Sequence, residues 1–182
     1  MPKPREHGFA VESLNVSCDG KFRLMLPIED YQKILIAAQG YCELSMFAEA
    51  LEELASLPQD LHSHPATVEM RLIILMQAKR WREALRAGKQ LTEIAPDKNI
   101  GYIHTAFCLH ELGDTAKART LLLGGPTTLH AEPVYHYNLA CYECCLGNTD
   151  LARVHLEKSV QLDKKFRDYA RTDPDLAPLR QQ

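Results

Sequence analysis

From Tyr31 onward, apolar residues recur at three- and four-residue spacings, the periodicity of helices that bury one face and solvate the other. The pattern divides into amphipathic halves separated by short polar turns, and the second halves carry alanines at 50, 84, 118 and 152, a period of 34. Alanine suits the point where two antiparallel helices joined by a tight turn come closest, because a larger side chain would hold them apart. Setting the alanines in register gives units of 31–64, 65–98, 99–132 and 133–166. The eighth position of each unit is then Ala38, Leu72, Ala106 and Ala140, again small or apolar. Turns are predicted at Gly113-Asp114 and Gly147-Asn148, where a left-handed residue ends one helix and a polar residue starts the next. Phe47 and Trp81 sit three residues before the first two alanines, as aromatic plugs over the turn, and Pro96 stops the second helix of unit two.

Three places depart from the pattern. Arg71 is a charge inside the otherwise apolar run from Met70 to Met76, so it either snorkels to the surface or is buried against an acid such as Glu53. Leu121 to Leu123 run into Gly124-Gly125-Pro126, which predicts a shortened helix and an irregularity between units three and four. Residues 1–30 do not fit the repeat. There, Asp19-Gly20 between two loosely alternating stretches signals a hairpin, expected to pack on the helices or to be mobile. At the other end, 165–182 reads as a capping helix through Phe166, Tyr169 and Ala170, followed by an extended tail.

The last unit, with Tyr137-Asn138-Leu139-Ala140-Cys141-Tyr142, Leu146-Gly147, Ala152 and Leu162-Asp163, resembles the tetratricopeptide repeat family. The tail Asp173-Pro174-Asp175-Leu176, with Leu179-Arg180 behind it, is similar to the ending that closes bacterial arrays of that family. The resemblance covers about residues 31–182. It implies an all-α fold, a right-handed superhelix of about four helix pairs plus a capping helix, with the first 30 residues as a separate arm. It also implies a protein-interaction scaffold or adaptor whose first helices line a concave groove. Carried over by position, the groove residues are Leu35, Gln39 and Glu43; Glu69, Ile73 and Met76; Ile103, Phe107, His110 and Glu111; and Tyr137, Cys141 and Cys144.

Those positions are apolar with a few acids and include no lysine or arginine. The carboxylate clamp of the family's chaperone co-factors needs a lysine/asparagine set, and Leu35 and Gln39 stand at its first positions, which disfavours that role. An apolar or mildly basic segment of a protein partner, such as a helix laid in by its hydrophobic face, is the expected occupant. A dedicated chaperone for a secreted or membrane-inserting client is the alternative.

Composition narrows the function further. The formal net charge is −3, with 21 basic and 24 acidic residues interleaved, so nucleic acid is not an expected partner. No apolar run approaches a membrane span, and the basic N-terminus has no apolar stretch behind it, so a cytoplasmic protein with reduced thiols is expected. No glycine-rich phosphate loop or paired-carboxylate motif is present, and no catalytic role is expected. Lys79, Arg80, Arg82, Arg86 and Lys89 are interrupted by Glu83 and read as a solvated face.

The six cysteines raise one chemical question, because Cys141, Cys144 and Cys145 follow His104, Cys108 and His110 by one unit. Thiolates and imidazoles at helical spacing are zinc donors, and a metal or redox protein is the remote reading. A single Cys-x-x-Cys on one helix lacks the second pair that makes such sites specific. The thiols are expected to pack, with no metal or cofactor.

Overall fold

The computed structural model describes residues 27–180, in two compact units, 27–94 and 95–180. Both are helical, and no strand occurs among the described residues. The hairpin expected around Asp19-Gly20 lies outside the described residues.

The N-terminal unit contains α1 (Ile28–Glu43), α2 (Phe47–Ala55), a 3-10 turn (Gln59–Ser63), α3 (Pro65–Gln77) and α4 (Trp81–Ile94). The first helix begins at Ile28, ahead of the expected repeat boundary at residue 31. Helix α3 is buried almost all round, from Ala66 to Met70 and at Leu72, Ile74 and Leu75, because it packs on α1, α2 and α4. One cluster joins Tyr31, Leu35 and Ala38 of α1 to Ala50 and Leu54 of α2, then to Leu61, Ala66, Met70 and Ile74. Arg71 is half-buried, and burial lowers its pKa. No ion pair between Arg71 and Glu53 occurs among the described residues.

The C-terminal unit contains α5 (Asn99–Glu111), α6 (Thr115–Leu123), a 3-10 turn (Thr127–Ala131), α7 (Pro133–Cys145), α8 (Thr149–Leu162) and α9 (Phe166–Thr172). It closes with a 3-10 turn (Pro174–Leu176) and the short α10 (Ala177–Arg180). Helix α7 is its most enclosed element, packed on α8, α6, α5 and the closing 3-10 turn.

Ala50, Ala84, Ala118 and Ala152 are all fully buried, as close helix approach demands. Each helix pair turns through one left-handed residue, Ser45, Lys79, Gly113 and Gly147, with φ of 62, 57, 87 and 85°. Each time, the next N–H reaches back five residues, from Met46 to Tyr41, Arg80 to Leu75, Asp114 to Leu109 and Asn148 to Glu143, at 2.8–2.9 Å. This is the Schellman closure, repeated four times.

A longer period overlies the 34-residue one. Pro58, Leu61, His62 and Pro65 recur as Pro126, Leu129, His130 and Pro133, two repeats later. Both sets form the 3-10 turns that cut α2 and α6 to nine residues, while α4 and α8 run to 14. Leu61 and Leu129 plug the two turns and are fully buried. Gly124-Gly125-Pro126 ends α6 at Leu123, as the sequence predicts, and a Cβ on Gly125 would collide with the Leu129 side chain and press on the Tyr102 ring.

Candidate partner-binding faces

The expected groove residues belong to α1, α3, α5 and α7, and the structure sorts them into two conditions. In the N-terminal unit, Leu35 and Glu69 are buried, and Leu35 is part of the core cluster. Gln39, Ile73 and Met76 are partly exposed, and Glu43 is exposed. Gln39 Nε2 donates to Glu43 Oε1 at 2.9 Å, one helical turn on, which aligns the two side chains along α1. This face is a mixed one, with apolar side chains on α3 and an acid on α1.

In the C-terminal unit Ile103, Tyr137, Cys141 and Cys144 are buried, while Phe107, His110 and Glu111 are partly exposed. The chain's own tail covers the three on α7. The Tyr137 hydroxyl donates to Asp173 Oδ2 at 2.8 Å, and the Cys141 thiol reaches the same oxygen at 3.8 Å. Asp173 Oδ1 accepts the Asp175 N–H at 3.0 Å, so Asp173 is also the cap of the 3-10 turn. Arg180 Nη1 donates to the carbonyls of Ala170 and Asp173 at 2.8 and 2.9 Å, clasping the tail from outside. Leu176 is buried, and the Tyr137 ring rests against Phe166 with centroids 5.0 Å apart.

Asp175 makes the remaining tether. Its Oδ2 lies 3.0 Å from His110 Nε2, and His110 Nδ1 lies 2.9 Å from Thr115 Oγ1. His110 Nε2, the Cys145 thiol and an Asp175 carboxylate oxygen all lie within 4.8 Å of one another, as do donors of Cys141, Asp173 and Asp175. Of the sequence-predicted soft donors, His110 and Cys145 therefore meet, whereas His104, Cys108 and Cys144 join neither group. Asp173, Asp175 and Thr115 are the participants that helix spacing could not supply.

Burial tunes the buried groups toward their neutral forms. It pushes the Tyr137 hydroxyl up, helped by Cys141 and Asp173, and the Cys108 thiol up to about 12, helped by Glu111. Burial likewise raises Cys144. No disulfide joins the five cysteines among the described residues. In the basic cluster, Arg80 is taken up by Glu83, at 2.6 Å on the surface.

No protein-family model matches the chain, and no curated protein does. A solved structure of the MamA RS-1 ArsTM double mutant is similar, with a TM-score of 0.65 and 14% identity over 76% of this chain and 78% of that one. That likeness, with the helix pairs above, shows an all-α helical-repeat fold of the tetratricopeptide-like solenoid kind.

Proposed function

We propose that the chain is a protein-interaction scaffold that holds a short segment of a partner against α1 and α3 of its N-terminal unit. The fold supports binding of protein partners as a class. One observation carries the location. On α7 the ninth and twelfth positions of the repeat, Cys141 and Cys144, are buried and the helix is covered by the tail, whereas Phe107 and His110 of α5 are partly exposed. Of the same positions on α1 and α3, Gln39, Ile73 and Met76 are partly exposed and Cys42 is buried. A face of this kind takes a short, non-repeated segment, and the tail is the built-in example.

The chemistry of the face states what the partner brings. Ile73 and Met76 offer an apolar, adaptable anchor point, and methionine conforms to varied shapes. Glu43 offers a carboxylate in water, which favours a basic residue next to the partner's apolar anchor and steers its approach. Because the helices are preformed, the ordering cost falls on the partner.

The test is affinity capture from the native cell with the wild type and with Ile73→Glu plus Met76→Glu, followed by binding of fragments of whatever is captured. These side chains are partly exposed, so the variant is expected to stay folded by circular dichroism. Loss of a captured partner, with at least a tenfold weaker Kd for its fragment, is expected. An unchanged partner set from a folded variant overturns the location.

A further inference from the structure

We infer that His110, Cys145 and Asp175 form a binding site for a divalent metal ion of zinc's ligand preference, fastening the C-terminal turn to α5 and α7. The inference stands apart from partner binding at the N-terminal unit, and neither depends on the other.

The donors converge from three elements distant in sequence: α5, the last turn of α7 and the closing 3-10 turn. Their atoms lie within 4.8 Å of one another. Around a tetrahedral ion with bonds of about 2.0–2.3 Å, ligand atoms sit about 3.3–3.8 Å apart. The adjustment required is therefore within the reach of side-chain rotation, and Cys145 is exposed at a helix end. One imidazole nitrogen, one thiol and one carboxylate make a set that zinc accepts and that calcium and magnesium, which take oxygen donors, do not.

The surroundings are arranged as the outer shell of such a site. Metal-binding histidines donate their second ring N–H to a fixed acceptor, and Thr115 Oγ1 lies 2.9 Å from His110 Nδ1. His110 Nε2 in turn lies 3.0 Å from Asp175 Oδ2, so the imidazole is held between Thr115 and the carboxylate that would share the ion. Asp173 holds the Asp175 N–H, and Arg180 grips the Asp173 carbonyl, so the Asp175 carboxylate is presented from a pinned turn.

A second observation points the same way. The Tyr142 ring lies 5.0 Å from that of His110, and its fully buried hydroxyl has no hydrogen-bond partner among the described residues. A buried hydroxyl without a partner, next to the imidazole, is the kind of group that a bound ion or its water satisfies. Three protein ligands leave a fourth position for water or for a donor from a partner.

The experiment uses the full chain, reduced and without a histidine tag, titrated with Co2+ and then Zn2+. One equivalent is expected to bind, with a thiolate-to-cobalt charge-transfer band displaced by zinc, and zinc is expected to raise Tm. Cys145→Ser, an exposed position, should abolish the band, Asp175→Asn should weaken binding, and Thr115→Val should weaken it about 10–100-fold. Cys42→Ser, in the other unit, should change nothing. Failure of the wild type to bind a stoichiometric ion overturns the site, as does Cys42→Ser reducing binding as much as Cys145→Ser. An unchanged band in Cys145→Ser also overturns it.

Discussion

Lys79 occupies a conformation that its side chain resists. At φ 57° its Cβ crowds the following carbonyl, which costs about 1–2 kcal/mol, yet the turn into α4 needs a left-handed residue there. Gly113 and Gly147 fill the equivalent places without that strain, and Ser45 shares the difficulty of Lys79. Lys79→Gly should stabilise the chain by about 0.5–1 kcal/mol, after the extra freedom glycine gives the unfolded state is discounted. A shift of the urea midpoint to higher concentration checks this, and a shift to lower concentration counts against it. The two glycine turns were legible in the sequence because glycine advertises a positive φ. Ser45 and Lys79 advertise nothing, and only the 34-residue register points to them. The Arg119–Glu143 contact was illegible for another reason. Glu143 is 2% exposed and holds Arg119 at 2.5 Å and Asn148 at 2.7 Å, a network that exists only once α6, α7 and the turn after α7 have met.

Between elements, the helix pair α7 and α8 is bridged by two histidines. His136 Nε2 donates to the His130 carbonyl at 3.1 Å, so His136 Nδ1 accepts from His155 Nδ1, 3.2 Å away. Burial lowers the pKa of both rings. Lys158 and His130 lower His136 further, while His136 and Arg119 lower His155 against the opposing pull of Glu143. Folded values below the unfolded value of about 6.5 mean that the unfolded chain binds more protons as the medium acidifies. The contribution of the pair is therefore intact above that pH and is lost as pH falls toward the folded values. His136→Gln plus His155→Gln should flatten the fall of Tm between about pH 7.5 and 5.5, and a double variant with the wild-type slope would show that the pair is silent. The helices themselves were readable from apolar spacing and the alanine ruler. The doubling of the pattern was also in the sequence, in the recurrence of Pro58-x-x-Leu61-His62 as Pro126-x-x-Leu129-His130, but a 34-residue frame hides it. The break after α6 was legible because glycine and proline state it. The matching break after α2 was missed because Leu57-Pro58 carries no glycine.

At the scale of the molecule, the two units dispose of the same helix faces differently, and the tail is the reason. Sequence reasoning could assign positions to a concave face, because repeat register fixes which way a first helix points. It could not say that Asp173 and Asp175 would return to α7 and α5, since nothing in helical spacing relates residue 137 to residue 173. Tyr137 and Cys141 thus became supports for the tail rather than open lining. Asp173 concentrates that role, serving the Tyr137 hydroxyl, the Cys141 thiol and the cap of the 3-10 turn together. Asp173→Ala should leave the buried Tyr137 hydroxyl unpaired and the turn uncapped, costing about 2–4 kcal/mol. Among the described residues, the N-terminal cluster draws on those between Tyr31 and Ile74, so the loss should be local. Native-state hydrogen exchange is the measurement that separates the cases, because it reads opening element by element. In Asp173→Ala, amides of α7 and of α9 should lose protection while those of α1 and α3 keep theirs. Uniform loss across the chain would mean that the tail stabilises the whole molecule, and unchanged protection in α7 would mean that its contacts with Asp173 contribute nothing.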